Sequence, residues 1–150
     1  MALTKGQYNG FYQFDNNKIT KSLGFDKTYF TIEITDLDEK HFKGWVEDNR
    51  LNGGMEGRGT ISGNINGNKV WFVKKMPYLT QLVKDSETGN YRVKIDKTKK
   101  HKPIYYKGIE IENNYYKGEY NFKYFGIVIN ILMWLKIIKT GGNWEMSKIN

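Results

Sequence analysis

Hydrophobic and polar residues alternate along most of this chain, in short runs separated by Gly and Asn. A period of two sets apolar side chains on one face of an extended backbone, so these runs predict β-strands. A first strand over Gln7–Phe14 puts Tyr8, Gly10, Tyr12 and Phe14 on one face. Over Thr28–Thr35, Phe30, Ile32 and Ile34 alternate with Thr31, Glu33 and Thr35. Over His41–Glu47, Phe42, Gly44 and Val46 oppose Lys43, Trp45 and Glu47. Arg58–Ile65 carries Gly59, Ile61, Gly63 and Ile65 on one side and Arg58, Thr60, Ser62 and Asn64 on the other. Asn66-Gly67 then supplies two residues that tolerate positive φ, as a two-residue hairpin turn requires. The next strand, Lys69–Lys75, has Val70 and Phe72 inward. Ile104–Ile111 and Tyr115–Phe122 flank an Asn113-Asn114 turn, and Asn143–Lys148 is the last strand.

The stretches between are less regular. Asp15–Lys27 is polar and reads as a loop, Asp36–Glu39 as a turn, and Asn49–Met55 as a Gly- and Asn-rich loop. Gln81–Lys84 and Tyr91–Ile95 flank Asp85–Asn90, which predicts an extra hairpin projecting from the end of the domain. Phe125–Ile138 has the Ile and Val content of a strand but the length of a helix. It reads as a buried segment plugging one end, a short helix before the last strand. Residues 1–150 thus form a single all-β domain. Strand glycines relieve crowding where a small sheet curls, and so favour an antiparallel up-and-down barrel of eight strands over a sandwich.

Composition changes the picture in three places. The chain of 150 residues has no Cys, which removes disulfides and Cys-based metal sites. Its net charge is +8, but Lys outnumbers Arg 21 to 3, and Arg is the better bidentate reader of phosphate and guanine. Nucleic acid is therefore the weaker reading of the charge, and the run Lys97, Lys99, Lys100 and Lys102 reads first as a solvated basic loop. The longest apolar stretch reaches about 14 residues, short of the roughly 20 a membrane helix needs. No apolar leader opens the chain, so a cytoplasmic location without a membrane span is expected.

Candidate chemistry is sparse. There are two histidines, His41 and His101, without metal-ligand spacing, and no serine stands in a nucleophile-elbow context. No phosphate-binding Gly-Lys-Ser/Thr loop is present. Glu33 and Glu47 share the outward phase of neighbouring strands and read as solubilising acids. No enzyme site, cofactor or metal is expected. The inward phase is more informative, because it collects Tyr8, Tyr12, Phe42, Tyr106, Tyr116, Tyr120 and Trp144. Buried hydroxyls need partners, and a Tyr-rich interior with glycines fits either a ligand-holding lumen or rings that bond to one another. On the outward phase, Trp45 and Trp71 flank the polar strip Thr60, Ser62 and Asn64. They read as a contact surface or as a patch covered by the Met76–Lys102 excursion.

The series Gly10-Phe11-Tyr12, Phe42-Lys43-Gly44-Trp45-Val46-Glu47 and the spaced glycines from Gly57 to Gly67 resemble the calycin group, which includes lipocalins and avidin-like barrels. The likeness is greatest to small bacterial lipocalin-like domains. It implies an up-and-down barrel whose open end binds a small apolar molecule. Tyr12 stands where the lipocalin signature has Trp. Val46 and Phe14 stand where biotin binders carry polar side chains, so no biotin binding is expected. The leading expectation is a non-enzymatic barrel binding a small apolar or aromatic ligand through the seven inward aromatics. The alternative is an interaction module that meets protein or nucleic acid through Trp45, Trp71 and the basic 94–102 loop, with a homodimer through sheet faces as one form of it.

Overall fold

A computed structural model describes residues 3–15, 17–122 and 141–150. Eight of its strands close into one antiparallel barrel: β1 (Gly6–Phe14), β2 (Thr28–Leu37), β3 (His41–Asp48), β4 (Arg58–Asn66), β5 (Lys69–Lys75), β8 (Ile104–Glu112), β9 (Tyr115–Phe122) and β10 (Gly142–Lys148). Each barrel strand pairs with the next along the chain, and β10 closes onto β1. The remaining pair, β6 (Leu79–Lys84) and β7 (Tyr91–Asp96), is the extra hairpin, a separate two-stranded sheet. The up-and-down barrel with one excursion is the architecture the alternation predicts. Closure leaves the eight-stranded sheet without an unpaired edge. Among the described residues no helix is long and apolar enough to cross a membrane.

Three local readings need correction or extension. Asp15–Lys27 is not simply a loop, because Asn17–Leu23 forms a short helix, α1. Strand β2 runs on to Leu37, through the segment read as a turn, after a register shift between Ile34 and Asp36. Strand β3 extends one residue further than the alternation suggested, to Asp48. The plug or short helix expected over Phe125–Ile138 lies outside the described residues.

The two ends of the barrel differ. At one, strands are joined by tight turns: Asp38–Lys40, Gly67-Asn68 and Asn113-Asn114, where Asn114 adopts φ 59°. The second turn is one residue later than the expected Asn66-Gly67, because Asn66 pairs with Lys69 in the ladder and Gly67, at φ 59°, takes the first turn position. Leu3 is buried there, and the Tyr8 hydroxyl donates to the Asn114 Oδ1 at 2.9 Å and to the Thr4 carbonyl at 3.1 Å. Lys148 Nζ donates to Thr4 Oγ1 at 2.8 Å, and the buried Glu110 accepts from the Asn114 amide at 2.9 Å. This end is shut. At the other end lie α1, the β3–β4 loop with its 3₁₀ turn Arg50–Asn52, and the β6–β7 hairpin. Strand β9 ends and β10 begins on the same side.

Between the ends, rings fill the middle of the barrel. Phe72, Tyr106 and Trp144 are in mutual edge or stacked contact, with Phe72 and Tyr106 centroids 4.6 Å apart, and Phe42 meets Phe72 edge-on. Trp144 is fully buried, and its Nε1–H is shared between the carbonyls of Lys107, at 3.1 Å, and Glu119, at 3.2 Å. Gly108 and Gly118 face each other across β8 and β9, next to Trp144 in the ladder. A Cβ on Gly108 would come within 2.5 Å of the indole, so the glycine is required by the ring's close approach. Here the space left by a strand glycine is taken by the protein's own aromatic, not by an opening.

Four of the inward tyrosines are held neutral. Burial raises the pKa of Tyr12, Tyr106, Tyr116 and Tyr120, with the Asp48 charge adding to the effect at Tyr12 and Tyr106, and Glu110 at Tyr116. A phenol whose folded pKa lies above its unfolded value stabilises the fold fully below that value, near 10, and the stability is lost as pH rises through it. In an alkaline titration, tyrosinate absorbance from these four should therefore appear together with the loss of β-sheet circular dichroism. Ionisation of all 11 tyrosines as one ordinary class, with the sheet intact, would contradict this packing.

Candidate ligand cavity

The end carrying the long connections holds a cavity of about 360 Å³. Its floor is the barrel interior itself: Tyr12 from β1, Ile104 and Tyr106 from β8, and Tyr120 from β9. Leu79, Thr80 and Leu82 of β6 and Val93 of β7 form a wall, with Leu23 of α1 and Met55 of the β3–β4 loop also bordering the space. Alternation puts Thr80 and Leu82 on one face of β6, with Val93 opposite Leu82 in the ladder, while Leu79 borders the space from the start of the strand. The hairpin is tethered by charge. Lys97 Nζ lies 2.8 Å from Glu56, which also pairs with Arg50 at 2.9 Å, and the Leu79 amide donates to the Lys99 carbonyl at 2.8 Å. The excursion therefore folds over the barrel end rather than projecting from it.

Just beyond the floor sits a buried polar cluster. Lys74 Nζ is 2.5 Å from Asp48 Oδ1, and both side chains are almost completely sequestered, at 2% and 0% exposure. Asp48 Oδ2 accepts from the Tyr12 hydroxyl at 3.1 Å and from the Met55 amide at 3.3 Å. The ammonium also lies 5.1 Å from the centre of the Tyr12 ring. Burial pulls the Lys74 pKa down, and the neighbouring carboxylate opposes that pull. A buried charge is tolerated only when paired and hydrogen-bonded, and here the carboxylate has three donors.

Sequence reasoning missed both members of this pair, although the signal was present. Lys74 continues the inward phase of Val70 and Phe72, and Asp48 that of Phe42, Gly44 and Val46. His101 is a second addition. Its ring borders the cavity, with Nδ1 2.6 Å from the Lys102 carbonyl, and burial lowers its pKa.

The seven inward aromatics are all directed into the barrel, but they divide. Tyr12, Tyr106 and Tyr120 border the cavity, whereas Tyr8, Phe42, Tyr116 and Trp144 belong to the filled middle and the shut end. On the outside, Trp45 is covered by the Arg58 guanidinium, 4.2 Å from the ring centre. Trp71 stays 41% exposed, and the Ile109 and Ile111 side chains lie beside it on β8 at 43% and 46%. The exposed apolar surface thus runs from β5 toward β8, not across β4 between the two tryptophans. The four lysines of the basic run do not act as one patch: Lys97 binds Glu56, Lys99 is 3.8 Å from Asp96, Lys102 borders the cavity and Lys100 is exposed. Comparison of the chain with protein-family models, curated proteins and solved structures gives no match.

Proposed function

We propose that this protein is a non-enzymatic, calycin-like barrel that binds a small, largely apolar or aromatic molecule in the cavity beneath the β6–β7 hairpin. One observation carries this reading: apolar side chains from the hairpin, α1 and the β3–β4 loop gather over an aromatic floor yet leave about 360 Å³ between them. That volume lies in the range of ligand sites, which are mostly apolar with a few placed polar groups. The floor tyrosines, held neutral by burial, suit hydrogen bonding to a ligand better than proton abstraction. A second reading, an interaction surface on the outer sheet, draws support from the adjacent exposure of Trp71, Ile109 and Ile111.

Native mass spectrometry of the protein purified from cells tests the first reading. The expected result is a mass excess that vanishes on denaturation and is lost in Leu82→Trp, whose indole would fill the cavity. A bare mass for both proteins would overturn it.

A further inference from the structure

Within that cavity, the hydroxyls differ in their commitments. Tyr12 donates to Asp48, and Tyr120 donates to the Gln13 carbonyl at 2.9 Å. Tyr106 lies on the far side of Tyr120 from Tyr12, 4% exposed, its ring stacked on Phe72 at 4.6 Å and on Tyr120 at 5.6 Å. Unlike those of Tyr12 and Tyr120, the Tyr106 hydroxyl makes no hydrogen bond to a described residue. In the wall, the Thr80 Oγ1 is buried and likewise has no partner among the described residues. A buried hydroxyl without a partner is costly, and such groups are rare in folded proteins. Of the two buried hydroxyls without a partner among the described residues, Thr80 borders the cavity and Tyr116 lies at the shut end; Tyr106 is a further cavity residue whose hydroxyl bonds no described group.

We infer that the cavity recognises the carbonyl oxygen of a planar aromatic ketone or related carbonyl compound, with Tyr106 as the donor and Thr80 as the second polar contact. The inference rests on the ligand-binding reading and narrows it. Tyr106 presents its hydroxyl oxygen at a fixed position, because contact with Phe72 and Tyr120 holds its ring. Met55, Leu79, Leu82, Val93 and Ile104 offer apolar contact to the rest of the molecule, with Gln81, His101 and Lys102 also at the border. A purely hydrocarbon ligand would leave both hydroxyls unsatisfied. An acceptor flanked by a flat apolar body satisfies the donor and covers the walls together.

The test uses prodan, a naphthyl ketone whose fluorescence moves to the red when its carbonyl accepts a hydrogen bond. The intact chain is titrated alongside Tyr106→Phe, Thr80→Val and Tyr120→Phe. Binding to the wild type with hydrogen-bonded emission is expected. Tyr106→Phe should weaken binding roughly three- to tenfold, the range of one hydrogen bond, and move the bound emission to the blue. Thr80→Val should weaken binding less. Tyr106→Phe removes a hydroxyl with no partner among the described residues, so its denaturation midpoint should equal or exceed the wild-type value, whereas Tyr120→Phe should lower it. Binding with the same affinity and emission in Tyr106→Phe would overturn the carbonyl assignment while leaving the cavity reading in place. Failure of the wild type to bind prodan at all, with Leu82→Trp behaving identically, would overturn both.

Discussion

Asp48→Asn will destabilise the barrel by about 3–5 kcal/mol, the cost of leaving one partner of a buried ion pair uncompensated. The geometry leaves little room for a smaller value. Lys74 is 2% exposed, and the Asp48 carboxylate 2.5 Å away is its partner in the barrel interior. Asparagine keeps the shape but removes the charge. A domain of this size has only about 5–15 kcal/mol of stability, so the denaturation midpoint should fall steeply.

The loss will also depend on pH, with a definite sign. Burial depresses the folded-state pKa of Lys74, so the unfolded chain binds a proton that the folded chain resists. Stability of the variant should therefore rise with pH as the folded-state lysine releases its proton, up to the unfolded lysine value of about 10.4. Pairing Asp48→Leu with Lys74→Met removes both charges and should recover most of the loss, because well-packed apolar side chains often replace a buried ion pair at little cost. A double variant no more stable than Asp48→Asn would show that the cluster holds the structure through hydrogen bonds rather than charge.

Trp144→Ala is expected to cost about 3–5 kcal/mol as well, for a different reason. Trp144 is the largest fully buried side chain among the described residues, and it contacts Phe72 and Tyr106 at 5.4 and 5.9 Å between ring centres. The truncation removes that packing, and its two hydrogen bonds to the Lys107 and Glu119 carbonyls go with it. The neighbours cannot collapse into the gap, since strands β8, β9 and β10 are held in register on both sides of it. An apolar void of this kind stays dry and accepts a small aromatic. Added indole should consequently raise the melting temperature of Trp144→Ala and leave the wild type unchanged. A variant that loses less than 1 kcal/mol would mean that the middle of the barrel is not filled as described.

Much of the barrel was legible because alternation is a local property. Val70 and Phe72 on one face, with the Asn-Gly signal just before them, mark the strand and a hairpin without knowledge of any partner, although the turn itself falls one residue later, at Gly67-Asn68. Phe42, Gly44 and Val46 do the same for β3. The buried pair shows where the reading stopped short of its own logic. The phase that turns Phe72 inward also turns Lys74 inward, yet a lysine in a basic stretch reads as solvated. Helix α1 was hidden for another reason: seven residues with apolar Ile19 and Leu23 alone give too little periodicity to register. The cavity was the least legible feature. It exists because Leu79, Leu82 and Val93 meet Leu23 and Met55 across long sequence separations, and no local pattern encodes that meeting. Of the aromatic lumen, Tyr12, Tyr106 and Tyr120 border the opening while Tyr8 and Tyr116 do not. That difference depends on which end carries the long connections, not on the strands themselves.

Methyl-resolved nuclear magnetic resonance of the whole chain during titration with toluene locates binding directly. A ligand cavity beneath the hairpin predicts saturable shifts at the methyls of Met55, Leu82, Val93 and Ile104, with Ile34, Val46 and Met146 in the filled interior unmoved. Shifts confined to Ile109 and Ile111 on the outer face, or no saturable shift at the four cavity methyls, would contradict it.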